Sequence, residues 1–215
     1  MSTVTTVRER PIIMRADSVR AILDGRKSQT RRVVKLPSGV SHADVVLDRM
    51  QHYPDGTVRP VWDMDGEPNA FSSRNPYGQP GDRLWVRETF DIRAGVPSMS
   101  RSASLAMHHR AYRADGGIAF TRWRSPIHMP RWASRLTLEI TDVRVERLRS
   151  ISEDDALAEG ALPMHGPGTL NGEPAEIAVF DPLMAFSLAW DSINGKRAPW
   201  ASNPWVWALT FRVPS

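Results

Sequence analysis

The chain contains no cysteine in its 215 residues. This excludes disulfides, thiolate metal sites and a cysteine nucleophile, and it fits a cytoplasmic setting. Long apolar runs are missing as well. The opening "MSTVTTVRER" has no signal-peptide core, and no stretch approaches the ~20 apolar residues of a membrane span, so neither export nor membrane insertion is expected. Lysine is scarce: Lys27, Lys35 and Lys196 stand among cations that are otherwise all arginine. The six histidines, the pair His108 and His109 included, show no HExxH spacing and have no thiol partners, so no catalytic metal is expected. There is no GxGxxG, no Walker lysine loop and no GxSxG elbow, which disfavours nucleotide-cofactor enzymes and ordinary α/β-hydrolases; no cofactor is expected.

What remains is a globular composition, 41% hydrophobic and 24% charged, of a length that suits one domain over residues 1–215. Residues 1–10 are expected to be flexible. A net charge of +4 favours an anionic partner, because a positive field attracts polyanions before any specific contact forms. The arginine bias can come from coding composition alone; arginine forks also suit phosphates and stack on rings.

Alternating apolar and polar residues predict strands in "RLTLEITDVRVERL" and "WVWALTFRV". In the second, Trp205, Trp207, Leu209, Phe211 and Val213 share a face. In the first, Leu136, Leu138 and Ile140 share one parity and Val143 and Val145 the other, which requires a bulge near Thr141 and Asp142. That bend suits a small closed barrel. Shorter strands are expected at "PIIM", "QTRRVVK", "GDRLWVRE" and "HRAYRA". Three helices follow from caps and stops: "DSVRAILDG" with Asp17 as cap and Gly25 as stop, "SEDDALAEG" with a Ser152–Asp155 capping pattern, and "DPLMAFSLAWDSING" with Asp181, Pro182 and a Leu183, Phe186, Trp190, Ile193 core stripe. Segments rich in Pro, Gly and Ser mark insertions at about 36–80, 91–134 and 161–180; loops of this length usually cover a site or carry small structures of their own.

"DGRKSQTRR" is the stretch richest in chemistry. If the helix stops at Gly25, Lys27 lies in the following turn and Thr30 opens a strand, with Arg32 on the same side as Thr30. Arg26, Arg31, Arg32 and partial burial would all lower the Lys27 pKa, and a neutral amine can take the proton of the Thr30 hydroxyl and make it a nucleophile. A solvated basic turn beside a strand-forming threonine explains the same letters. Glu159 sits at the C-terminal end of its helix, where the dipole opposes a carboxylate; it is either a general acid or substrate anchor, or an exposed residue at a frayed end. Glu153, Asp154 and Asp155 are accounted for as helix-starting residues. "FTRWRSPIHMPRWASR" mixes arginines with Trp123 and Trp132, and Trp85 offers another ring. Rings and cations interleaved in this way grip single-stranded nucleic acid or wall a flipped base; each also packs as an ordinary cation–π pair.

"ILDGRKSQTRR", "PGDRLWVRE", "RLTLEITDVRVERL", "ISEDDALAEG" and "WVWALTFRV" together resemble an ASCH domain of the PUA-like superfamily, and the run as a whole resembles ASCH proteins of phages and prophages. The resemblance implies an α+β fold, a PUA-like small β-barrel with flanking helices and long loop insertions, whose cleft receives RNA or a modified nucleoside, DNA remaining open. Compact bacterial members are amidohydrolases that deacetylate N4-acetylcytidine, and others cut RNA. By that likeness the catalytic residues are Lys27 as base, Thr30 as nucleophile and Glu159 as acid or anchor. Arg26, Arg31, Arg32, Trp85, Trp123 and Trp132 are the substrate-binding candidates. A non-catalytic reader of RNA or a modified base and a metal-independent ribonuclease are the rival expectations. This chain is about twice the length of the compact hydrolases, and the segment around Trp123 and Trp132 has no counterpart in them.

Overall fold

The computed structural model describes residues 7–53, 57–93, 109–119, 122–161, 166–170, 173–177 and 181–214. Strand β1 (Glu9–Ile13) leads into helix α1 (Ala16–Leu23) and strand β2 (Gln29–Val33). The first inserted segment forms a three-stranded antiparallel sheet from β3 (Val45–His52), β4 (Val58–Met64) and β5 (Glu67–Ser72). Then come β6 (Arg83–Arg87), the hairpin pair β7 (Phe90–Arg93) and β8 (His109–Tyr112), the long β9 (Thr137–Arg147) and helix α2 (Glu153–Ala158). A second two-stranded sheet, β10 (Gly166–Leu170) with β11 (Glu173–Ile177), precedes α3 (Pro182–Asn194) and the closing β12 (Trp205–Arg212).

The principal sheet has the order β1-β6-β9-β12-β2. Only β1 and β6 run parallel; the other neighbours are antiparallel. The sequence pattern explains the register. Thr210 pairs with Asp142 and Phe211 with Ile140, so Thr141 is the extra residue of a bulge on β9. The bulge returns Val143 and Val145 to the face that Leu138 and Ile140 occupy, and all four pack on one core. Trp207, Leu209 and Phe211 from β12, Leu84 and Val86 from β6, and Val19 and Ile22 from α1 complete it. A second core under α2 and α3 gathers Leu148, Ile151, Ala156, Phe186, Trp190 and Val206.

The architecture is α+β, with mixed strands and few helices. The expected closed barrel is not formed: among the described residues β1 and β2 share no strand pairing and remain the two edges of the sheet. One side chain spans them, since Arg32 Nη2 donates to the Ile13 carbonyl at 2.7 Å. Three local expectations are also corrected. The segment expected to be flexible ends in ordered backbone, because β1 begins at Glu9 and pairs with β6 from Arg83 onward. Arg15, not Asp17, is the N-cap of α1, and Asp17 falls in the first turn, where the dipole welcomes a carboxylate. Ile193 and Val213, placed on apolar faces by periodicity, are exposed; the stripe of α3 leaves the core after Trp190, and Val213 lies beyond the end of β12. Ser152 and Asp181 do cap α2 and α3, accepting from Asp155 N and Met184 N.

The inserted sheet is part of the main core. Trp62 of β4 is fully buried there, packs edge-on against Trp205 at 5.2 Å and donates from Nε1 to Ser73 Oγ at 2.9 Å. Arg147 of β9 lies over the Trp205 ring at 4.3 Å and donates to the carbonyls of His42 and Val45. The insertion is thereby latched to the end of the principal sheet by a cation–π contact and backbone acceptors.

Trp207→Ala is expected to lower stability by about 3–5 kcal/mol, since it empties the best-buried large ring of the principal sheet, whereas Ile193→Ala stays within about 0.5 kcal/mol. Urea unfolding midpoints of the two variants measure the contrast.

Candidate functional site

Lys27 is delivered by the end of α1. Gly25 takes a left-handed conformation, φ 72°, which stops the helix and turns the chain so that the Arg26 and Lys27 amides both donate to the Ala21 carbonyl. Ser28 N then donates to the Ala158 carbonyl and its own carbonyl accepts from Phe211 N. The short connection is therefore clamped between the end of α2 and the end of β12. On the other side α2 stops at Gly160, φ 84°, and Glu159 caps it. Lys27 and Glu159 form a bridge between the two turns.

Their side chains meet out of water. Lys27 Nζ donates to Glu159 Oε2 at 2.6 Å and to the Glu159 carbonyl at 2.7 Å, across 132 residues of sequence. The two side chains are 4% and 7% exposed, so this pair is shielded from solvent and salt in a way that a surface ion pair is not. Burial pulls the Lys27 pKa below its ordinary 10.5; the Glu159 charge and hydrogen bond oppose that shift, and the charges of Arg32 and Arg31 assist it.

Arg31 extends the cluster. Its side chain is fully buried, and Nη2 donates to Glu146 Oε1 and to Asp155 Oδ2, both at 2.7 Å. Nη1 reaches Glu159 Oε1 at 3.4 Å. Gln29 Nε2 donates to Asp155 Oδ1 at 2.7 Å, and Arg144 Nη2 to Asp155 Oδ2 at 2.9 Å. The cations Lys27, Arg31 and Arg144 thus face the carboxylates Glu146, Asp155 and Glu159, and the charges balance inside one network.

Thr30 belongs to the other face of β2. It pairs in register with Leu209 of the main core and is buried, whereas Gln29 and Arg31 turn toward α2. Among the described residues no hydrogen bond joins Thr30 to Lys27 or Glu159. Arg32, two residues on, shares the Thr30 face. It is held by the Ile13 carbonyl and Met14 Sδ, and its Nε is buried with no acceptor among the described residues.

The remaining candidates are dispersed. Arg26 pairs with Asp24 at 2.8 Å on the exposed side of the turn; the arginine charges that lower the Lys27 pKa are those of Arg32 and Arg31. Trp85 alternates along β6 with the core residues Leu84 and Val86, so it stands on the opposite face of the sheet from Thr30. There it carries Arg87 at 5.4 Å and Arg131 at 5.8 Å. Trp132 is half exposed with Arg110 over its ring at 5.6 Å, and Trp123 is partly buried. The rings do not wall a cleft around Lys27 and Thr30; Trp85 and Trp132 carry arginines as cation–π pairs. Asp155, Glu146, Gln29 and Arg144 were not anticipated as site residues. Their signal was faint but present, since Arg144 and Glu146 alternate with the core residues Val143 and Val145 and must face outward together. Among the described residues no His, Asp and Glu are gathered as metal ligands would be. No helix of the described residues is long and apolar enough to cross a membrane.

Comparison with known proteins finds no matching family model, no matching curated sequence and no matching solved structure.

Two outcomes follow from this geometry. Burial would raise the Asp155 pKa, but the Gln29 hydrogen bond and the Arg31 and Arg144 charges outweigh it and hold the carboxyl below its ordinary 3.8. The stabilisation this supplies is present above pH 3.8 and is lost as pH falls through the lower folded-state value. Asp155→Asn should remove that acid-side loss from urea midpoints followed downward from neutral pH. Gly160→Ala should destabilise by more than about 1 kcal/mol, because a left-handed residue gains a side chain whose Cβ would lie 3.1 Å from Ala21 Cβ and 3.3 Å from Lys27 Cβ.

Proposed function

We propose that the protein hydrolyses an amide on an acylated nucleobase of the N4-acetylcytidine kind, as a PUA-like ASCH protein acting on RNA or a modified nucleoside in the cytoplasm. The observation that carries this reading is the buried contact between Lys27 and Glu159, with Thr30 the second residue of the strand that Lys27 leads into. The Lys27 ammonium sits 2.6 Å from the Glu159 carboxyl, and burial, which pulls the Lys27 pKa below its ordinary value, makes its proton easier to give up than that of an exposed lysine. Once deprotonated, Lys27 is an amine able to act as base, and Glu159, which holds it in place, is the substrate anchor.

The chemistry divides accordingly. In the resting structure no hydrogen bond joins Lys27 to Thr30; released from Glu159, the Lys27 amine takes the proton of the Thr30 hydroxyl through a bridging water as the oxygen attacks the amide carbonyl. Arg32, on the Thr30 face and held by Ile13 and Met14, is the donor toward the oxyanion that forms. The Lys27 ammonium returns the proton it took to the departing amino nitrogen as the carbon–nitrogen bond breaks, Glu159 anchoring the substrate, and water then cleaves the acyl-threonine to regenerate the hydroxyl. Arg31 takes no part in bond making; through Glu146, Asp155 and Glu159 it fixes the position of the anchor.

Incubation with N4-acetylcytidine and with single-stranded RNA, followed by mass spectrometry, tests the reading. Deacetylation is expected, with kcat/KM reduced by roughly 10²-fold or more in Lys27→Ala and in Thr30→Ala. The rate should rise with pH through an inflection below the ordinary lysine value of 10.5, because the base works only when deprotonated. RNA fragments instead of cytidine would replace this reading with a ribonuclease, and tight binding without product would replace it with a reader.

A further inference from the structure

Away from Lys27 and Glu159, the first insertion and the edge of the principal sheet enclose a cavity of about 250 Å³. It shares no lining residue with that site. Arg8, Arg10, Arg74, Asn75 and Gln79 line it, with Asp82 as its acidic side chain. Arg8 and Arg10 come from the approach to β1 and from β1 itself, while Arg74, Asn75 and Gln79 come from the segment between β5 and β6.

The charges of this cavity are unbalanced. The Asp82 carboxylate is occupied by backbone amides, accepting from Arg8 N at 3.0 Å and Gln79 N at 3.2 Å. It orders the loop and pairs with neither Arg8 nor Arg10. Among the described residues neither of these arginines has an acidic side chain as ion-pair partner; Arg10 Nη1 donates to the Pro76 carbonyl at 3.3 Å, and its Nε is buried without an acceptor. Asn75 is spent on the same loop, donating to the Gly78 carbonyl and accepting from Tyr77 N. Gly78, φ 115°, lets the backbone pass so close that a Cβ there would meet Asp82 Oδ2 at 2.7 Å. The wall is thus built rather than incidental, and it presents guanidinium donors and an amide to a space slightly below the ~300 Å³ at which small-molecule sites begin.

We propose that this cavity binds a phosphate group, with Arg8 and Arg10 as its forked donors and Gln79 as a neutral hydrogen-bonding neighbour. Guanidinium forks match phosphate oxygens in charge and geometry, and neither Arg8 nor Arg10 has an acidic partner among the described residues. The phosphate belongs to a nucleotide or to a nucleic-acid strand. This assignment rests on the cavity and stands whether or not Lys27 and Thr30 hydrolyse an amide.

Binding by the full-length protein of a fluorescent single-stranded RNA and of cytidine 5′-monophosphate, with inorganic phosphate as competitor, tests the proposal. Arg8→Gln changes an exposed side chain, and Gln79→Glu puts a negative charge into the cavity while leaving every arginine in place; melting curves confirm that both fold. The expected result is wild-type binding that phosphate competes away, weakened about tenfold or more in each variant. For the strand, Arg8→Gln should also flatten log K against log salt by about 0.7, one phosphate contact. Binding of the mononucleotide identifies a nucleotide site, and binding of RNA alone a strand site; either supports the proposal. Hydrolysis of the unphosphorylated nucleoside N4-acetylcytidine is expected to be unchanged in both variants, so a failed amidase assay leaves this result independent. Absence of wild-type binding, or variants that bind both probes as the wild type does, would overturn it.

Discussion

A positive charge taken out of water must be met by a negative one, and this constraint organises the centre of the molecule. Lys27 and Glu159 satisfy it for each other. In doing so they join the turn after α1 to the turn after α2, two places separated by most of the chain. Removing one member of such a pair strands the other, at about 3–5 kcal/mol. The same rule recruits Arg31, which is fully buried and requires Glu146 and Asp155 beside Glu159. Gln29 and Arg144 then complete the hydrogen bonding of Asp155. A cluster of this kind is rigid, because no member can leave without exposing a partner's unmet charge to a medium of low polarity.

Around that cluster the two faces of β2 have different duties. Gln29 and Arg31 look toward α2 and the ion network, while Thr30 and Arg32 look toward the main core and the edge strand β1. The proposed hydrolysis uses both faces, with the base and the substrate anchor drawn from one and the nucleophile and oxyanion donor from the other. A similar economy marks the insertion. Its central ring, Trp62, is part of the main core, so the segment between β2 and β6 cannot be a loosely attached ornament. It also brings Arg74, Asn75 and Gln79 up to the N-terminal strand, forming a polar cavity that neither segment forms alone.

Much of the fold was legible residue by residue. The parity change in β9 required a bulge near Thr141, and the register with β12 places it there. Ser152, Asp181, Gly25 and Gly160 marked helix ends through capping and left-handed backbone, both of which are local chemistry. The site was legible only in part. Lys27 and Glu159 drew notice as a lone lysine among arginines and a carboxylate at the wrong end of a helix. Asp155 was set aside as a helix-starting residue, because its neighbours in sequence explain it fully and its neighbours in space are strands away. The tryptophans failed for a related reason: period-two alternation puts Trp85 on the outer face, and only the sheet order shows how far that is from Thr30.

The sequence by itself determined the alternation, the bulge, the caps and stops, the absence of thiol chemistry and the excess of guanidinium groups. These follow from interactions between residues a few positions apart, whose energies the chain carries wherever it goes. Only the tertiary structure decided that the sheet stays open with Arg32 across its edges, that Lys27 finds Glu159, and that Arg8 and Arg10 meet the end of the first insertion. Those pairings join residues far apart in the chain, and they are selected by the burial of whole faces and the need to match buried charge, quantities that no short window of sequence contains.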